Sequence, residues 1–224
     1  MKPQIACPDV RSLVSGGMTI GAVEIVAAAE GVPEHCRVTG TIAPEIHFEV
    51  NLPAAWNRRF YMSGNGGFAG EVSDSPPRAA VRAAALRQGF VTATTNTGHD
   101  ATKEPLASFA VDPQKVTDYA FRAVHLTALT AKGIATRYYD RPVAYSYWDG
   151  CSTGGRQALI SAQRFPETST GSSPARPCST SSIRPSPDSG TPARCRDGPL
   201  TLEAMKLVAD ARLREVRRRR RGHR

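Results

Sequence analysis

No stretch of the 224-residue chain approaches the ~20 consecutive apolar residues that a transmembrane helix needs, so no membrane span is predicted. The first residues also lack the apolar core of a secretory signal, which indicates a cytosolic protein or one whose start is missing. Cys-x-x-Cys pairs and zinc-ligand spacing do not occur. The glycine-rich segment at 64–67 is followed by no Lys, and no Gly-x-Gly-x-x-Gly pattern fits there, which excludes the usual phosphate and dinucleotide loops.

Excess positive charge is concentrated in the C-terminal tail. The net charge is +9, but residues 212–224 contribute +7 of it through eight Arg and one Glu, and residues 1–167 contribute only +1. A basic tail of this kind can bind phosphates through counterion release. The body of the chain has no comparable patch, so the sequence argues against a nucleic-acid-binding domain.

Composition changes abruptly after residue 167. Residues 168–199 contain twelve Ser or Thr and six Pro, with Ile183 as the only large aliphatic or aromatic residue. Such a segment buries too little apolar surface to offset its ordering entropy, so it is predicted to be disordered. Residues 200–224 are predicted to form a short helix and an Arg-rich tail.

Residues 1–167 alternate between strand-like and helix-like patterns, which is typical of an α/β domain with a doubly wound, mostly parallel sheet. The predicted strands are a hairpin at 39–52 and single strands at 59–63, 90–95 and 143–148; the predicted helices are 78–88, 113–138 and 152–164.

A Gly-x-Ser-x-Gly pattern lies at 150–154, between a predicted strand and a predicted helix. This is the context of a nucleophile elbow, in which a sharp turn presents Ser152 at a helix N-terminus and the N–H of Thr153 stabilises an oxyanion. The alternative is a glycine-rich turn with an idle serine. A second oxyanion N–H is expected from the loop at 64–67. The alternative is that this loop is a plain glycine-rich turn. His99 and His125 precede the serine, so structural roles are predicted for both.

Six segments in order resemble the tannase and feruloyl esterase family. They are 34–40 (EHCRVTG), 52–60 (LPAAWNRRF), 64–68 (GNGGF), 97–99 (TGH), 122–125 (RAVH) and 150–157 (GCSTGGRQ). The resemblance implies a serine esterase with an α/β-hydrolase fold and an inserted, calcium-binding lid domain. It covers residues 7–167 almost continuously, so the lid and the C-terminal part of the fold are expected to be missing, and no cofactor or metal is expected in this chain.

The resemblance also implies roles for individual residues. Ser152 would be the acylated nucleophile, with oxyanion N–H groups from Thr153 and Gly66. Cys151 would pair with a cysteine beside the catalytic His, a partner expected to be missing here. Cys7 and Cys36 would form a disulfide, which implies a secreted or periplasmic protein. The chain has five cysteines, so at least one stays unpaired.

A catalytic acid and a His are expected after Ser152, yet only His223 follows, within the Arg-rich end. The complete family is roughly twice this length, so both residues are expected beyond this chain. Residues 168–179 and 212–221 can be encoded by GC-rich codons that, in a shifted frame, give sequences resembling the family. This favours a fragment with a frameshifted tail over a linker followed by a basic tail.

The sequence therefore predicts a carboxylic ester hydrolase for small aromatic esters, such as feruloyl or galloyl esters, that is inactive as this chain. The alternative is a non-catalytic α/β module with a basic tail that binds anions or nucleic acid.

Overall fold

The computed structural model describes residues 1–13, 17–71 and 75–169, all within one compact unit, Met1–Pro192. These residues form six strands: β1 Met18–Val26, β2 His35–Ile42, β3 Ile46–Pro53, β4 Arg59–Ser63, β5 Val91–Thr95 and β6 Tyr145–Asp149. The helices are α1 Pro76–Arg87, α2 Pro113–Thr117, α3 Ala123–Tyr139, α4 Thr153–Arg164 and α5 Pro166–Ser169. None of the helices described here is long and apolar enough to cross a bilayer.

The strands form a mixed sheet in the order β1-β2-β3-β5-β4-β6, which confirms the α/β class. Parallel pairing joins β5, β4 and β6, whereas β1, β2, β3 and β5 pair in antiparallel fashion. The connections explain the difference. The short turn between β2 and β3 permits only an antiparallel pair, while the helical crossovers through α1 and α3 return the chain in the parallel direction.

The two faces of the sheet differ in chemistry. Apolar side chains such as Val50 and Phe60 pack with α3 in the main core. The face beneath α1 is polar, and there Arg82 of α1 pairs with the buried Glu49 of β3 at 2.8 Å. Helices on both faces leave the C-terminal ends of β4, β5 and β6 at one edge of the sheet, which is where open α/β sheets place their sites.

Each strand and helix predicted in residues 1–167 has a counterpart in the structure. β1 was not predicted, and neither were the 3-10 helices Cys7–Leu13 and Ser108–Val111. The helix predicted at 113–138 contains a π-helical turn, Asp118–Arg122, between α2 and α3. Of the segment predicted to be disordered, Thr168 and Ser169 end the short helix α5. The rest of that segment, and the predicted helix and tail at 200–224, lie outside the described residues.

Candidate active site

Ser152 lies at a sharp turn between β6 and α4. The strand ends at Asp149, two residues separate it from Ser152, and α4 begins at Thr153. The backbone of Ser152 has φ 55° and ψ −119°, a conformation that L-residues rarely adopt and that costs about 1–3 kcal/mol. Ser152 is exposed, and its side chain makes no capping hydrogen bond to α4. The turn therefore holds a serine hydroxyl at a helix N-terminus against the backbone's own preference.

Three glycines allow the turn to be this tight. A Cβ added to Gly64 would lie 2.4 Å from the Cα of Gly154, and a Cβ added to Gly150 would lie 2.7 Å from the Gly154 carbonyl carbon. The N–H of Gly64 donates to the carbonyl oxygen of Asp149 at 2.7 Å. The loop that follows β4 is therefore pressed against the first turn of α4.

The two predicted oxyanion donors are brought to the same region through Gly67. Its carbonyl oxygen accepts a hydrogen bond from Thr153 Oγ1 at 2.5 Å and another from Tyr119 Oη at 3.2 Å. Within the described residues, no hydrogen bond uses the N–H of Thr153 or of Gly66. Thr153 directly follows Ser152, and the loop that contains Gly66 is held against the same end of α4.

The strand leading to Ser152 is fixed by polar contacts that sequence reasoning missed. Tyr61 Oη donates to Asp149 Oδ2 at 3.0 Å, and burial together with this carboxylate raises the pKa of Tyr61, so the phenol stays protonated. Trp148 Nε1 donates to the carbonyl oxygen of Gly154 at 3.0 Å. Each of these bonds joins residues of different elements, so no local sequence pattern predicts them.

His99 and His125 pack against aromatic rings, and neither is paired with Ser152 in the part of the chain that the structure describes. His99 is 1% exposed and stacks on Phe109 at 4.0 Å, and burial lowers the pKa of its ring. His125 stacks on Phe165 at 3.7 Å, and burial lowers its pKa as well. In the described part of the chain, no hydrogen bond joins either ring to Ser152, consistent with the structural roles predicted for both.

Cys7 and Cys36 form a disulfide, as the family resemblance implied. It links the 3-10 turn Cys7–Leu13 to the start of β2. Cys151 is exposed and is a free thiol among the described residues. Its bridge to a cysteine beyond the chain stays a prediction, and Cys178 and Cys195 lie outside the described residues. No group of three His, Cys, Asp or Glu is placed to hold a metal ion in the ranges described.

The crossover sheet and the strand–serine–helix turn define a partial α/β-hydrolase fold. Crystal structures of an esterase and of feruloyl esterase B, both from Aspergillus oryzae, match with TM-scores of 0.62 and 0.60. Their sequence identities are 26% and 28%, over 72% of this chain and 35% of theirs. A family model described as tannase and feruloyl esterase matches residues 30–180. The chain belongs to the tannase and feruloyl esterase family.

Two curated relatives show how much of such a protein is present. Mono(2-hydroxyethyl) terephthalate hydrolase of Piscinibacter sakaiensis is 34% identical over 71% of this chain and 29% of its own length. Feruloyl esterase B of Aspergillus niger is 35% identical over 74% of this chain and 32% of its own length. The chain thus spans about three tenths of the length of these relatives.

Proposed function

We propose that this chain carries the nucleophile and the oxyanion-binding groups of a serine carboxylic ester hydrolase that acts on aromatic esters. The observation that carries the proposal is the strained backbone of Ser152 at an exposed strand–helix turn. A serine that serves only to cap or pack gains nothing from this conformation. Strain that persists at an exposed polar residue is typical of functional sites.

The proposed reaction follows from the groups around the turn. Ser152 Oγ bonds to the ester carbonyl carbon while its proton passes to a general base, and the carbonyl oxygen becomes an oxyanion. The N–H groups of Thr153 and Gly66 donate to that oxygen. The alcohol leaves with a proton, and water then releases the acid from acyl-Ser152. We place the His base and its acidic partner outside the described residues.

The aromatic acyl group is proposed from the relatives. Feruloyl esterase B and mono(2-hydroxyethyl) terephthalate hydrolase are named for esters of two different aromatic acids. An ester of an aromatic acid is the chemistry that these names share, so methyl ferulate is a suitable first substrate.

Turnover of methyl ferulate tests the proposal. We compare the 224-residue chain with the full-length protein obtained when the reading frame is restored after codons 167 and 211, each with and without Ser152→Ala. The restored form is expected to hydrolyse the ester, and Ser152→Ala to lower kcat by ~10⁴-fold or more. The 224-residue chain is expected to show little turnover, because without a base the Ser152 hydroxyl stays protonated.

Two results would contradict this proposal. Turnover by the restored form that survives Ser152→Ala would remove Ser152 as the nucleophile. Equal, Ser152-dependent turnover by both forms would place the base within these 224 residues.

A further inference from the structure

Two buried amide side chains join the loop that follows β4 to helix α4. Gln157 is 1% exposed and Asn65 is 3% exposed. Gln157 Oε1 accepts the backbone N–H of Asn65 at 3.0 Å, and Gln157 Nε2 donates to Asn65 Oδ1 at 3.2 Å. A backbone N–H can only donate, so its partner must be the amide oxygen of Gln157, and this fixes the orientation of that amide.

A second pair of contacts holds the loop two residues further on. The carbonyl oxygen of Gly67 accepts from Thr153 Oγ1 and from Tyr119 Oη. Gly66 lies between these anchors and carries no side chain of its own to restrict it. A glycine pair is conformationally permissive, so the direction of the Gly66 N–H depends on what holds its two neighbours.

Gln157 and Thr153 are four residues apart on α4, so they lie on the same face of the helix, one turn apart. The helix that carries the Thr153 N–H therefore also anchors the residue before Gly66. Both oxyanion donors are fixed relative to one rigid element, and that element begins at the nucleophile.

We propose that Gln157 is a positioning residue: its Oε1 holds the Asn65 N–H so that the Gly66 N–H faces the oxygen that becomes negative during acylation. This inference rests on the proposed function. Without the bond, the Gly66 N–H is still present but its direction is no longer fixed. The loss matters because an oxyanion donor acts only at the correct distance and angle.

The test uses a thiolate in place of the serine, because a thiolate attacks an activated ester without a general base. Ser152→Cys is made in the full 224-residue chain after Cys151→Ser, Cys178→Ser and Cys195→Ser. With p-nitrophenyl acetate, the new sulfur bonds to the carbonyl carbon, an oxyanion forms, and p-nitrophenolate leaves. Iodoacetamide alkylates the same thiolate and releases iodide, and no oxyanion develops in that reaction.

The readout is the ratio of the acetylation rate constant to the alkylation rate constant. Gln157→Met is expected to lower this ratio by about 10- to 100-fold, somewhat less than the loss of a complete oxyanion donor. Gln163→Met, an exposed position on the same helix, is the matched control and is expected to leave the ratio unchanged.

Gln157→Glu provides a second, conservative variant. A protonated carboxyl group both accepts and donates, so it can replace both amide bonds. A carboxylate still accepts the Asn65 N–H, but it repels Asn65 Oδ1 and so pushes the Asn65 side chain away from α4. The thiol parent is the protein that carries Ser152→Cys and the three Cys→Ser substitutions. At low pH, the ratio of Gln157→Glu is expected to match that of the thiol parent. The ratio of Gln157→Glu is expected to fall as the pH rises through the pKa of the new carboxyl group. The ratio of the parent is expected to be flat over that range.

The outcomes separate this inference from the proposed function. The ratio of acetylation to alkylation in the thiol parent is compared with the same ratio in an unstructured cysteine peptide. A ratio in the thiol parent no higher than that of the peptide would contradict the oxyanion site itself. A raised ratio in the parent that survives Gln157→Met would overturn the role of Gln157 alone. Parallel losses of acetylation and alkylation in Gln157→Met would also overturn it.

Discussion

Lys132 places an ammonium group in a partly buried position on α3. Its Nζ lies 5.6 Å from the centre of the Phe60 ring and donates to the carbonyl oxygen of Thr168. Burial lowers the pKa of Lys132 to about 8. Between this value and the ordinary pKa near 10.5, the unfolded chain binds more protons than the folded chain, so stability rises with pH across that window.

We therefore expect Lys132→Met to raise the free energy of unfolding at pH 7 by about 1–3 kcal/mol, because the desolvation cost is fully present below pH 8. The gain is expected to shrink towards pH 10, where the folded lysine is already neutral. Urea denaturation at both pH values measures this, with the exposed Lys103→Met as the control. A gain that is the same at both pH values would exclude desolvation as its cause.

At the residue scale, the sequence predicted the strand–helix turn at Ser152, because that turn has a local sequence pattern. Ser152 and Thr153 lie in a contiguous turn between a strand and a helix, so spacing alone indicated them. The bonds between Asn65 and Gln157 cross 92 residues of sequence, and nothing near either amide marks its partner. The roles assigned to Ser152, Thr153 and Gly66 stay predictions until turnover is measured.

At the element scale, the end of β4 can approach α4 closely only because Gly64 and Gly154 have no side chains. We expect Gly64→Ala to lower the free energy of unfolding by about 2–3 kcal/mol, because the new methyl group would lie 2.4 Å from the Gly154 Cα and neither segment can yield. Thermal and urea denaturation measure the change.

Gly133→Ala on α3 is the matched control for that substitution. A Cβ there meets nothing within 4 Å, so the helix is expected to gain about 0.5–1 kcal/mol. Equal effects of the two substitutions would show that the contact between β4 and α4 is not tight in solution.

Elements with a strong pattern were predicted correctly, and those determined by distant contacts were not. β4 occupies the predicted residues, Arg59–Ser63. β1 was missed because it lies at the sheet edge with little burial, and its pairing register shifts between Ile20 and Val23. The π-helical turn begins at Asp118, which is fully buried beside Gly98, a contact that the helical periodicity of residues 113–138 does not encode.

At the scale of the whole molecule, the described sheet ends at β6, which pairs on one side with β4. Tyr145 on this strand is 51% exposed. An accessible strand edge with an aromatic side chain favours pairing with another chain, whereas a lysine on an edge strand opposes it.

Tyr145→Lys is therefore expected to lower the aggregated fraction of the purified chain by roughly twofold or more. Light scattering after size-exclusion chromatography measures this fraction. Leu129→Lys introduces the same charge at an exposed position on α3 and is the control. A similar reduction by both would assign the effect to net charge rather than to the edge of the sheet.

The strained backbone of Ser152 also bears on how such a chain tolerates redesign. Glycine is the residue that adopts this conformation most readily, so a procedure that optimises stability alone would select glycine at position 152. That choice removes the hydroxyl that we propose as the nucleophile. Under our proposal the strained residue is kept for its chemistry, so selection for stability and selection for activity act on position 152 in opposite directions.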